Sequence, residues 1–185
     1  MNKSGKSLVK EARLFGNLQV LAITSLLVAL SVTFGKLLAV NITQSFRISF
    51  ENLPILFAGI AFGPWVGAVA GMIADLIGCV AVGFAVNPII TLGAACVGLV
   101  SGLVSHFWLT EKNQKSILVS VAAAHLLGSI LVKSLGIYLW YGTPLSVLWL
   151  RIPIYLVTGT AEAYLILLLF QRRALDRYVK GVYRT

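Results

Sequence analysis

The sequence predicts an all-α membrane protein, a bundle of six transmembrane helices with both termini cytoplasmic, and three observations carry that prediction. Of 185 residues, 58% are hydrophobic and 11% charged, and the mean hydropathy of +0.92 implies far more apolar surface than a water-soluble chain of this size can hide. The apolar residues fall into runs whose lengths match the ~20 residues that ~30 Å of hydrocarbon demands. The cations flank those runs and do not cluster on a soluble face, which argues against nucleic-acid binding for a chain of net charge +9.

Taken in order, the first apolar run covers about residues 18–40 behind a basic leader. Further runs follow it and no small-residue cleavage site closes it, so it reads as a span and not as a removable signal peptide. NITQSFR is a polar loop. The next run is too long for one crossing, and Gly63-Pro64 divides it, because proline lacks the amide donor and pushes the preceding residue out of helical geometry. Spans at about 49–63 and 64–83 result, joined by a tight turn. Asn87-Pro88 reads as N-cap and first helical residue of a fourth span, about 88–108. After TEKNQK come a fifth span, about 116–140, the turn YGTPLS, and a sixth span, about 148–171, before a basic tail. One domain, residues 1–185, accounts for the whole chain.

Lys3, Lys6, Lys10, Arg13, Lys112, Lys115, Arg172, Arg173, Arg177, Lys180 and Arg184 all fall on one side of this arrangement, which the positive-inside rule assigns to the cytoplasm. The other four cations, Lys36, Arg47, Lys133 and Arg151, converge on the outer face. Asn87, Tyr138, Trp140, Tyr141, Trp149 and Tyr155 share that layer, and positive charge beside aromatic surface suits a flat, anionic ligand. An interfacial aromatic belt with snorkelling lysines is the plainer account of Trp140, Tyr141 and Trp149. Lys133 resists it, because an ionisable side chain two turns inside a span faces a cavity or a partner rather than lipid.

Two carboxylates lie deeper. Asp75 and Glu162 could each accept from a ring amine and ring NH of a heterocycle, or neutralise a cation within the bundle; for Asp75 the structural role is favoured, and for Glu162 both stay open. His106 and His125 read as packing residues, as do Cys79 and Cys96, which lie within apolar runs where a disulfide has no purpose. Ala22, Ser25 and Ala29 form a small-residue strip on span one that admits another helix closely. No metal site, phosphate-binding loop or nucleophile elbow occurs, so the chain carries no ATPase of its own and no cofactor is implied. An intramembrane enzyme would have to work with Asp75, Glu162 and His125.

The run from Arg47 to Pro54, RISFENLP, followed by Phe62-Gly-Pro-Trp-Val-Gly67 and Ala74-Asp75-Leu, resembles the signature in spans two and three of the S components of energy-coupling factor (ECF) vitamin transporters. NPIITLG at 87–93 and GLVSG at 98–102 resemble the fourth span of that family and most of all its folate-specific members. The resemblance implies a six-helix subunit that captures a vitamin outside and docks by span one onto a transmembrane T component driven by two ATPase subunits. It then topples to release its cargo into the cytoplasm. It assigns the docking strip to Ala22, Ser25 and Ala29, with Ser25 where alanine is common, and a lid to Asn41–Arg47. On that reading the pterin of folate would meet Asn87 and Glu162 between Trp140 and Tyr155, with Tyr138 in the same aromatic layer. Lys133, Arg151 and Arg47 would meet the glutamate carboxylates. Riboflavin, thiamin and pantothenate are the rival cargoes, and a thiamin site should favour carboxylates over cations.

Overall fold

A computed structural model describes residues 17–41, 47–108 and 113–171. The basic leader, the tail and Lys112 lie outside that set, as does most of the segment expected to form a lid. Helix α1 (Leu18–Lys36) opens with Asn17 as N-cap, its side chain accepting from the Gln19 amide at 3.0 Å. After α1 come two short strands, β1 (Val40–Asn41) and β2 (Arg47–Ile48), paired antiparallel. This pairing is the one departure from helix among the regular elements of the described residues.

Among the described residues, five helices are long and apolar enough to cross a membrane. The chain's second helix, α2 (Asn52–Phe62), is not one of them. At about 1.5 Å per residue it spans roughly 16 Å, half of what a crossing takes. The sequence expectation of a span over about 49–63 is therefore met by a shorter helix, for reasons visible at both ends. Arg47 and Ile48 are committed to β2, and Gly63 stops the helix with φ +103°, a conformation open to glycine. What α2 lacks in length it has in burial: Pro54 through Phe62 are all buried, with Leu56, Ala58, Ile60 and Ala61 at the centre of the core.

Helix α3 (Pro64–Val82) starts on the proline and ends at Gly83, whose left-handed backbone closes the C-terminus. Helix α4 (Pro88–Leu103) is capped by the Asn87 side chain and continues as a π-helical turn, Val104–Trp108. Helix α5 (Gln114–Tyr141) is one rod with a π-helical middle, His125–Val132. A short helix α6 (Leu145–Leu148) leads into α7 (Arg151–Gln171).

Helices α2, α3 and α4 meet backbone to backbone. A Cβ at Gly67 would come within 2.6 Å of both the Gly59 Cα and the Gly98 carbonyl, and a Cβ at Gly98 would run into the Gly67 carbonyl itself. Neither obstacle is a flexible side chain that could step aside. Gly98→Val is accordingly expected to cost more than ~4 kcal/mol and to leave no monodisperse protein on gel filtration in detergent; a normally behaved variant would mean that α3 and α4 can separate.

Candidate functional site

The chain runs up and down, so the C-terminal ends of α1, α3 and α5 and the N-terminal ends of α2, α4 and α7 share one end of the bundle. A cavity of about 460 Å³ opens there, within the ~300–1,000 Å³ range of small-molecule sites. Its lining includes the charged residues Lys36, Glu51, Asp75, Lys133 and Arg151, with Tyr155 among them.

Each of these groups is positioned by a neighbour. Lys133 is 5% exposed; its ammonium donates to Glu51 Oε1 at 3.1 Å and to Asn52 Oδ1 at 3.3 Å. Asp75 Oδ2 accepts from the Thr91 hydroxyl at 2.6 Å, tying α3 to α4. Arg151 donates to Tyr155 Oη at 2.9 Å and to the Ser129 carbonyl at 3.3 Å, its guanidinium 5.4 Å from the Tyr155 ring centroid. Lys36 lies 5.9 Å from the centroid of Phe84. Both cations are within the ~6 Å over which an aromatic face attracts them. Three cations thus face two carboxylates across the lining, one pair being joined.

Of the residues singled out in the sequence, Asn87, Lys133, Arg151 and Tyr155 are brought together in this lining, with Tyr141 beside them. Asn87 is largely committed: its Oδ1 accepts from the Ile89 and Ile90 amides and its Nδ2 donates to the Gly136 carbonyl at 3.3 Å, which leaves one amide hydrogen to offer. Arg47 contributes backbone to β2, and its side chain lies outside the described set. Tyr138 borders a different, apolar groove with Leu148 and Trp149 on the outside of the bundle. Trp140 is exposed and absent from the cavity lining.

Glu162 is placed elsewhere. It is fully buried on α7, with Oε2 2.6 Å from His125 Nε2, while His125 Nδ1 lies 3.2 Å from Ser129 Oγ. His125 also stacks on Tyr155, ring centroids 5.2 Å apart, so the pair stands behind the cavity wall and supports it. His106 accepts the structural part given to it, its Nε2 3.1 Å from the Ile60 carbonyl. Cys79 is buried and Cys96 half-buried, and among the described residues no cluster of three metal-ligating side chains occurs.

Glu51 and Phe84 are not among the site residues the sequence singles out, and Asp75 reads from the sequence as structural. The signal for Glu51 was present: an acidic residue directly before an Asn-Leu-Pro helix start, with a buried lysine elsewhere in need of a counter-charge.

Nearer the start of α1, Ala22, Ser25 and Ala29 are exposed. Ser25 and Ala29 line a shallow apolar groove with Val66, Val69 and Ile73 of α3. The Ser25 hydroxyl donates to the Leu21 carbonyl at 2.9 Å, so the serine presents little more than a methylene to a partner.

A helical membrane protein with a polar, charge-lined cavity at one end of its bundle is a membrane-embedded ligand-binding protein. The chain belongs to the family described as ECF transporter, substrate-specific component, whose profile matches residues 19–171. No curated protein sequence matches it significantly. Among solved structures it resembles FolT bound with folic acid, at 22% identity and a TM-score of 0.67 over 81% of this chain and 91% of that one. It also resembles the S component of a bacterial ECF transporter, at 19% identity and a TM-score of 0.63 over 84% of this chain and 95% of that one. At such identities the likeness establishes the fold.

Proposed function

We propose that this chain is the vitamin-capturing subunit of an ATP-driven importer in a bacterial plasma membrane, and that its cargo is folate. It takes folate from the outer side and delivers it to the cytoplasm together with a transmembrane T component and two ATPase subunits. The six-helix bundle has both termini in the cytoplasm, and α1 docks the T component through Ala22, Ser25 and Ala29. The observation that carries the reading is the cavity itself. Lys36, Lys133 and Arg151 supply positive charge for a dianionic glutamate tail. Asp75, with one carboxylate oxygen on Thr91, has its second oxygen to offer a pterin amine and ring NH.

The ring would enter between Tyr155, Tyr141 and Phe84, meeting Asp75 and the remaining Asn87 amide hydrogen. This moves the heterocycle-binding carboxylate from Glu162 to Asp75, because Asp75 is in the lining and Glu162 is engaged with His125. Membership of the substrate-specific family and the likeness to folate-bound FolT support the assignment. The placement of Lys115 supports the orientation: the cavity opens at the end of the bundle opposite to it.

The purified chain in detergent, titrated with folate, riboflavin and thiamin while tryptophan emission is followed, is expected to show saturable quenching with folate alone. Quenching by riboflavin or thiamin in its place would overturn the cargo while leaving the family unchanged.

A further inference from the structure

Glu51 stands at the start of α2, where an acidic side chain can turn back to cap the first amides, yet it makes no cap hydrogen bond. Its carboxylate reaches across the cavity wall to Lys133 at 3.1 Å. The rest of the residue is pinned by α1: its carbonyl accepts from Ser31 Oγ at 2.6 Å, and a Cβ on Gly35 would lie 2.9 Å from the Glu51 Cβ. Lys133 is held as firmly. Its aliphatic stem passes so close to Gly93 that a Cβ there would meet Lys133 Cγ at 2.6 Å. The ammonium is therefore a fixed, buried anion site, and the carboxylate on it is 22% exposed and borders the cavity.

A buried ammonium is costly without a carboxylate beside it. A capture subunit has to exist both empty and filled, and in the empty state that counter-charge must come from the protein. When a ligand carboxylate reaches the same ammonium, two carboxylates at close range repel each other, and the one with access to the cavity can swing away. A neutral group facing Lys133 gives no such exchange, because displacing Glu51 would then strand the cation.

We infer that Glu51 is a resident counter-anion: in the empty protein it occupies, on Lys133, the place that a ligand carboxylate takes. It selects ligands that carry a carboxylate at that point, and it drives their release when it returns. This rests on the folate reading above. Glu51 lowers affinity for the cargo in exchange for a stable empty state and a fast exit, so removing its charge should tighten binding.

The test is Glu51→Gln in the full chain in detergent, titrated with folate and with pteroate, which lacks the glutamate. Dissociation of both is followed by stopped-flow fluorescence. The ligand-free variant should melt at lower temperature, while folate binds about tenfold tighter and leaves about tenfold more slowly. Pteroate should change by less than about twofold on the same scale. Glu51→Asp, one methylene shorter and still charged, should move folate in the same direction by less, and it carries the test if Glu51→Gln does not fold. Folate affinity unchanged or weakened in the folded variants overturns the inference and leaves the folate reading standing. A wild-type chain that binds no folate overturns both.

Discussion

Replacing both Lys133 and Arg151 with Met is expected to weaken folate binding on the order of a thousandfold while changing pteroate binding only a few-fold. Charge-assisted hydrogen bonds to ionised groups contribute about 1.5–3 kcal/mol each, and two lost together compound to that factor. The two side chains are suited to the task in different ways. Lys133 is buried, with its stem fixed at Gly93, so its ammonium is a point charge that needs no reorganisation. Arg151 is aligned by Tyr155 and the Ser129 carbonyl, which leaves part of its guanidinium fork to pair with a carboxylate. Isothermal titration with folate and pteroate side by side decides the matter. Equal losses for both ligands would mean that these cations hold the ring or the wall and not the tail, and the orientation would have to be reversed.

The contrast between Lys133 and Glu51 shows where the sequence was legible. A lysine inside an apolar run stands out, because the alternatives to a cavity or a partner are costly in hydrocarbon. A glutamate at the junction of a loop and a helix looks like an ordinary water-facing charge, and only the fold brings it 3.1 Å from a residue 82 positions away. The helix boundaries followed the same logic. Gly63-Pro64 and Asn87-Pro88 are local stereochemistry and could be read directly. The shortness of α2 could not, because an apolar residue buried by protein and one buried by lipid have the same hydropathy. Nor could the π-helical stretch His125–Val132, which no residue type announces.

The sequence points to Tyr138, Trp140 and Glu162 as site residues because they lie near the outer ends of their spans or are polar in an apolar run. Depth along a helix was legible in these cases, and azimuth was not. Tyr138 and Tyr141 are three residues apart on one rod, yet the first borders the outer groove and the second the cavity. On α7, Tyr155 and Glu162 are seven apart and so share a face, but they lie two turns apart in depth. Tyr155 reaches the cavity, and Glu162 meets His125 below it.

That placement gives the second large effect. Glu162→Ala is expected to lower stability by about 3–5 kcal/mol, the combined result of a cavity in the core and a buried His125 nitrogen left without its partner, while folate affinity stays within a few-fold of wild type. For a chain of this size each kcal/mol shifts the melting temperature by about 2–4 °C, so the fall should exceed about 6 °C in a detergent melt. The carboxylate is fully buried and its Oε1 has no hydrogen-bond partner among the described residues, so most of what holds it in place is the 2.6 Å contact with His125. Replacing both members by leucine leaves neither buried polar group without its partner and should recover much of the loss. The double variant thereby separates a structural pair from a ligand contact. If Glu162→Ala left the melt unchanged and instead lost folate a hundredfold, Glu162 would be the pterin's carboxylate after all, and Asp75 would return to tying α3 to α4 through Thr91.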